Sequence, residues 1–151
     1  MIKFKKRSSK KGPVRSKKVS LDGIVFASGL EKHMYIKLKE NNLFDKYEGE
    51  VFQLLPTFIF DQTSIERCGN GKGEYKDRGN KKMLGIKYTP DFTGRDYIIE
   101  TKGRANESFP LRYKLMKYWM ICNSDNRVLY KPQNQKECEE TVRLILEKRN
   151  A

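Results

Sequence analysis

One short stretch constrains the fold more than any other: Tyr97-Ile98-Ile99-Glu100-Thr101-Lys102-Gly103. Its apolar start reads as a strand, and Gly103 ends it. Upstream, Thr93-Gly94-Arg95-Asp96 reads as a turn, so Tyr88-Thr89-Pro90-Asp91-Phe92 folds back against this strand as a hairpin. Side chains alternate along a strand, which puts Ile98, Glu100 and Lys102 on one face and turns Thr101 away. That face changes from apolar to charged as the strand leaves the core, and the hairpin can bring Asp91 alongside Glu100. Two carboxylates and an ammonium at the end of an apolar hairpin are costly to bury without a partner. A divalent cation resolves the conflict. Asp91 and Glu100 offer hard oxygen ligands suited to Mg²⁺, with Mn²⁺ as a substitute, and the backbone carbonyl of Thr101 is a further candidate ligand.

The rest of the chain reads as a single mixed α/β domain. Its 151 residues suffice for one core. Residues 1–20 carry nine Lys/Arg and no acid, whereas residues 21–151 carry 23 basic and 19 acidic side chains. The formal charge of +13 therefore resides mostly in a basic arm, expected to be disordered without its partner, ahead of a domain spanning 21–151. Such an arm suits a polyanion, because its phosphate contacts release condensed counterions. Lys5, Lys6, Arg7, Lys10 and Lys11 are its candidate DNA contacts. No apolar run is long enough for a membrane span or a signal peptide, so a cytoplasmic location is expected. Cys68, Cys122 and Cys138 form no pair with metal or disulfide spacing and read as free thiols.

Order is expected from Leu21 onward. Ser28 with Glu31 three residues later is a capping-box signature, and Leu30, Met34 and Leu38 give the helix that follows one apolar face until Asn41-Asn42 stop it. Strands are expected at Glu50–Leu55, Thr57–Phe60 and Leu84–Tyr88, with a glycine-rich long loop or loose hairpin extension over 61–82. A second helix is expected from Pro110 to about Cys122, a strand at Arg127–Tyr130, and a last helix capped by Asn134 and Glu137. His33 is expected to face solvent. Tyr113, Tyr118 and Trp119 read as core or interface aromatics.

Pro90-Asp91 with Glu100-Thr101-Lys102 resembles the PD-(D/E)XK nuclease motif. Together with Ser28-Gly29-Leu30-Glu31 ahead of a helix, it resembles the phage endonuclease I group of Holliday junction resolvases. Leu21–Phe26 and Val51–Pro56 also resemble phage nucleases of the same superfamily. The resemblance implies a restriction-endonuclease-like core, a mixed central sheet flanked by helices, and metal-dependent hydrolysis of DNA phosphodiesters that leaves a 5′-phosphate. It implies that Asp91 and Glu100 hold the metal and that Lys102 assists the attacking water. It also gives Glu31 a place in the metal site, beside the reading of Glu31 as the capping-box acid. Glu48 or Glu50 would supply an acid after the first helix.

The resemblance further implies branched or duplex DNA as substrate, a role in recombination, a homodimer with two active centres, and, for a phage-encoded chain, the host cytoplasm. Arg104, Arg112 and Lys114 after the motif are candidate phosphate contacts. Two other readings stay open: a phage nickase or packaging-associated nuclease without junction preference, and a non-catalytic basic nucleic-acid-binding protein.

Overall fold

The computed structural model describes residues 16–67 and 69–151. The arm positions Lys5, Lys6, Arg7, Lys10 and Lys11, and Cys68, lie outside the described residues. The first described elements are β1 (Val19–Leu21) and β2 (Ile24–Phe26), antiparallel with Leu21 opposite Ile24. Asp22 and Gly23 turn this hairpin with φ of 52° and 77°, a conformation that aspartate and glycine tolerate best. Pairing thus starts at Val19, two residues before the expected Leu21. Ser28 then caps α1 (Gly29–Glu40), accepting a hydrogen bond from the Glu31 amide as the capping box predicts. Met34 and Leu38 are fully buried, and the helix ends at Asn41-Asn42.

The middle of the chain runs out and back as one ribbon. Outward it forms β3 (Lys46–Tyr47), β4 (Phe52–Leu55), β5 (Phe58–Phe60) and β6 (Ile65–Arg67). It returns through β7 (Tyr75–Asp77), β8 (Lys81–Met83), β9 (Ile86–Tyr88) and β10 (Phe92–Thr93). The pairings nest: Tyr47 faces Phe92, Phe52 faces Tyr88, Phe58 faces Met83 and Ile65 faces Asp77. Register slips by a residue at intervals, as at Gln53/Leu55, and these irregularities divide the ribbon into short ladders. Of the two expected forms for 61–82, a long loop or a hairpin extension, the hairpin extension is the one formed, with β6 and β7 on either side of its tip.

The central sheet gathers the inner end of this ribbon with two later strands. After β10 come β11 (Tyr97–Ile99), α2 (Phe109–Cys122), β12 (Val128–Tyr130) and α3 (Gln135–Asn150). The strand order is β12-β11-β10-β3, with β11 and β12 parallel and the other pairs antiparallel. Parallel neighbours need a crossover, and α2 supplies it. Ile98 and Ile99 are both fully buried but face different layers. Ile99 packs with Met34, Leu38, Val142 and Ile145 of α1 and α3, whereas Ile98 packs with Met116 and Met120 of α2. The molecule is thus a mixed α/β sheet with helices on both faces.

Two expectations about individual side chains change. His33 is not a free surface residue: it is half-buried between α1 and α3, with Nε2 3.7 Å from a Glu139 carboxylate oxygen. Tyr118 is exposed, while Trp119 stacks edge-on against Phe52 and Tyr113 packs on Phe109. Of the described cysteines, Cys138 is buried and Cys122 exposed, both free. Among the described residues no helix is long and apolar enough to cross a membrane.

The hairpin turn is fixed from several sides. Asp96 receives a forked ion pair from Arg149 of α3, and Arg127 joins Asp125 to Glu50 beside the Gly94 carbonyl. Gly94 is buried, and a Cβ there would collide with the Tyr97 ring, itself fully buried and donating a 2.7 Å hydrogen bond to the Leu43 carbonyl. Gly94→Ala must displace that ring. Overpacking of this kind costs about 1–3 kcal/mol, and urea unfolding should show a loss of that size. A wild-type midpoint would mean that the ring can move without penalty.

Candidate active site

The open end of the β10–β11 hairpin, opposite the Gly94 turn, carries the charged set. Asp91 precedes β10 and Glu100 follows β11, just beyond the last paired residues Phe92 and Ile99. The chain stays in register past that point: the Glu100 amide donates to the Tyr130 carbonyl and the Lys102 amide to the Pro132 carbonyl, each at 3.0 Å. These bonds extend the parallel pairing and fix the side-chain directions of Glu100 and Lys102. Thr101 between them faces the other strand. Its amide and hydroxyl both donate to Asp91 Oδ2, at 2.7 and 2.6 Å.

Glu100 is only 7% exposed, and Lys102 Nζ lies 3.9 Å from its Oε1. Lys102 is half-buried, with its ammonium 4.9 Å from the centre of the Phe109 ring in a cation–π position. Burial, reinforced by the charge of Glu100, pushes the Asp91 carboxyl up to about 8 against the stabilising bonds from Thr101. Burial also raises Glu100, opposed chiefly by Tyr88 and Lys102. The Tyr88 hydroxyl is buried beside Glu100 without a hydrogen bond of good geometry.

Glu31 sits on α1 within electrostatic reach of both acids, and its charge raises each of them. Its own oxygens are engaged: Oε2 accepts from the Ala27 amide at 3.0 Å and the Tyr47 hydroxyl at 2.7 Å, and Oε1 from the Ser28 hydroxyl at 2.9 Å. The capping-box role is therefore realised. Among the described residues no group of three or more His, Cys, Asp or Glu side chains is gathered as a metal site. Asp91 and Glu100 stand as a pair with Glu31 set apart. The pair still fits Mg²⁺, which commonly takes one or two protein carboxylates and completes its shell with water and substrate phosphate. A dication would offset the repulsion and desolvation that raise both acids.

Of the other acids, Glu50 is held by Arg127 near the hairpin turn, away from Asp91. Glu48 is exposed, but its amide donates to the Asp91 carbonyl at 2.8 Å, which brings its backbone to the site. Two cavities flank Lys102. One, of about 520 Å³, is lined by Ser28, Glu31, Thr101, Lys102 and Arg104 among others. The other, of about 290 Å³, lies towards α2 and includes Lys87, Tyr88, Glu100 and Arg112. Of the three candidate phosphate contacts, Arg104 and Arg112 each line one of these cavities, whereas Lys114 is exposed on α2 and lines neither. Sequence reasoning did not single out Lys87 or Tyr88, which line the smaller cavity beside Glu100. Both lie within three residues of Pro90 on a strand entering the motif, which is the signal that could have found them.

These features define a mixed α/β protein with a buried and a half-buried acid and an adjacent lysine at one end of the two inner strands of its central sheet. The chain belongs to the DUF1064 family, described as protein of unknown function, whose model matches residues 11–131. No curated protein and no solved structure matches it.

The acidic pair has a signature in stability. Without a divalent cation, folded Asp91 keeps its proton up to about pH 8, whereas the unfolded chain releases it near 3.8. The folded state then binds more protons between these values, so stability falls as pH rises from about 4 to about 8. Thermal unfolding in EDTA should show Tm declining across this window. Asp91→Asn, which keeps an oxygen for Thr101, should flatten the decline, and Mg²⁺ should raise the wild-type Tm more at pH 8 than at pH 5. Equal pH slopes in wild type and Asp91→Asn would exclude Asp91 as the titrating group.

Proposed function

We propose that this protein is a metal-dependent DNA endonuclease with a PD-(D/E)XK core. The observation that carries the reading is the meeting of Asp91, Glu100 and Lys102 at one end of a hairpin inside a mixed sheet. The helix-flanked order β12-β11-β10-β3 supports the same core. A binding protein has little use for two buried acids where phosphate must approach. The chain's basic excess, concentrated in residues 1–20, also suits DNA.

Asp91 and Glu100 would hold Mg²⁺. When bound, the ion would polarise the scissile phosphate, lower the pKa of an attacking water and offset charge on the leaving oxygen. Thr101 keeps Asp91 oriented through two donors to one oxygen, leaving Oδ1 without a hydrogen bond among the described residues. Lys102, its ammonium steadied by the Phe109 ring, orients the water for in-line attack and balances charge at the scissile phosphate, the water's proton leaving to solvent, and the product carries a 5′-phosphate. Glu31 acts through α1 and Tyr47, holding the α1 end of the site in place. Arg104 and Arg112 guide the strand. Selectivity for branched DNA, and the dimer that paired cuts would require, belong to the resolvase form of this reading.

Lys102→Ala should lower cleavage by about 10²–10⁴-fold while DNA binding is kept. The assay compares a labelled four-way junction with its linear duplex, in Mg²⁺ and in EDTA. Paired nicks near the junction support the resolvase form, and equal cutting of both substrates supports a nuclease without junction preference. Unchanged cleavage by Lys102→Ala, or no cleavage by wild type in Mg²⁺ or Mn²⁺, would sink the nuclease assignment.

A further inference from the structure

The cavity of about 290 Å³ between β9 and the start of α2 adjoins the candidate active site through Glu100 and Lys102 and adds walls to which the attack on the scissile phosphate assigns no role. Its walls include Lys87, Tyr88, Glu100, Lys102, Asn106 and Arg112. Three cations face one carboxylate. The Tyr88 ring is 4% exposed and its hydroxyl finds no partner with hydrogen-bond geometry. A buried hydroxyl left in that state costs stability, which is tolerated where a ligand completes it. Arg112 is fixed by donating from its guanidinium to the Lys87 backbone carbonyl, which anchors this cation to β9 at the cavity wall. The 14-residue helix α2 also begins here, its first amide, that of Phe109, donating to Asn106 Oδ1 at 2.9 Å, which fixes Asn106 in the cavity wall.

We propose that this pocket binds a phosphate of the DNA strand next to the one attacked, with Arg112, Lys87 and the Tyr88 hydroxyl as its donors. The inference rests on the nuclease reading for the identity of the strand, but the pocket's affinity for phosphate is independent of cleavage. Glu100 and Lys102 line the pocket and also belong to the candidate active site, so a phosphate held here sets which neighbouring phosphodiester lies over Asp91 and Glu100. Arg112 and Lys87 are then positioning residues that act through strand register. Lys114, on the same helix but outside the cavity, has no part in it.

The test titrates the full-length protein in EDTA with inorganic phosphate, then with thymidine 5′-monophosphate and with thymidylyl-thymidine, followed by amide and arginine NMR shifts. Saturable shifts at Asn106, Phe109 and Arg112 Nε are expected. Preference for the monophosphate would identify a terminal phosphate as occupant, and preference for the dinucleotide a bridging one. Tyr88→Phe keeps the ring packing and should weaken binding at least tenfold while Tm stays level or rises. Arg112→Gln should weaken binding similarly, and Arg143→Gln on α3 should leave it unchanged. Absence of saturable shifts in wild type, or wild-type affinity in both Tyr88→Phe and Arg112→Gln, would overturn the pocket. DNA cleavage by a protein that fails these titrations would leave the nuclease reading standing and remove the phosphate subsite. Phosphate binding by a protein that cleaves no DNA would do the reverse.

Discussion

Two hydrogen bonds from Thr101 to a single oxygen of Asp91 hold together the part of this protein on which its proposed chemistry depends. They join the two arms of the central hairpin beyond its last backbone pair. They also keep a buried carboxylate beside a second one, Glu100, that electrostatics would drive away. Because Thr101 uses its amide and hydroxyl in this way, the alternation of the strand leaves Glu100 and Lys102 to the other side, where the amides of both residues pair with the chain beyond β12. The site is thus an outgrowth of sheet register. A slip of one residue along β11 would turn Thr101 towards α2 and Glu100 towards α1, and the acidic pair would be lost.

The two helical layers do different work around this strand. On one side, α1 and α3 bury Ile99 with the largest cluster of apolar side chains, and Glu31 of α1 reaches β3 through the Tyr47 hydroxyl. On the other side, α2 buries Ile98 through Met116 and Met120, and beside its N-terminus lies a cavity lined by Lys87, Arg112 and the buried Tyr88. Each layer thus leaves one cavity beside the acidic pair, the larger towards α1 and the smaller towards α2. Lys102, which borders both cavities, stands at the junction between them.

Local pattern made much of this legible. The capping boxes at Ser28 and Asn134, the glycine turn before Tyr97, the proline at the start of α2 and the pairing of Asp91 with the Glu100 strand all depend on neighbours a few residues apart. Interactions of that range are written in order along the chain. The ribbon from β3 to β10 was harder to read because its register drifts and its outer strands are exposed, so they lack the alternation that burial imposes. Likewise His33 looked free beside Glu31, since nothing near it in sequence announces Glu139 on the last helix.

The sequence by itself determined the hairpin, the helices with their caps, and the identity of the Asp91, Glu100 and Lys102 set, because each follows from short-range periodicity and turn chemistry. Only the tertiary structure decided that Glu31 is held by Ala27, Ser28 and Tyr47, and that Glu50 serves Arg127. It also decided that Lys87, Tyr88 and Arg112 surround one cavity. These are contacts between segments brought together by sheet order and helix packing. A side chain's partners there depend on where another part of the chain comes to rest, which no local pattern records.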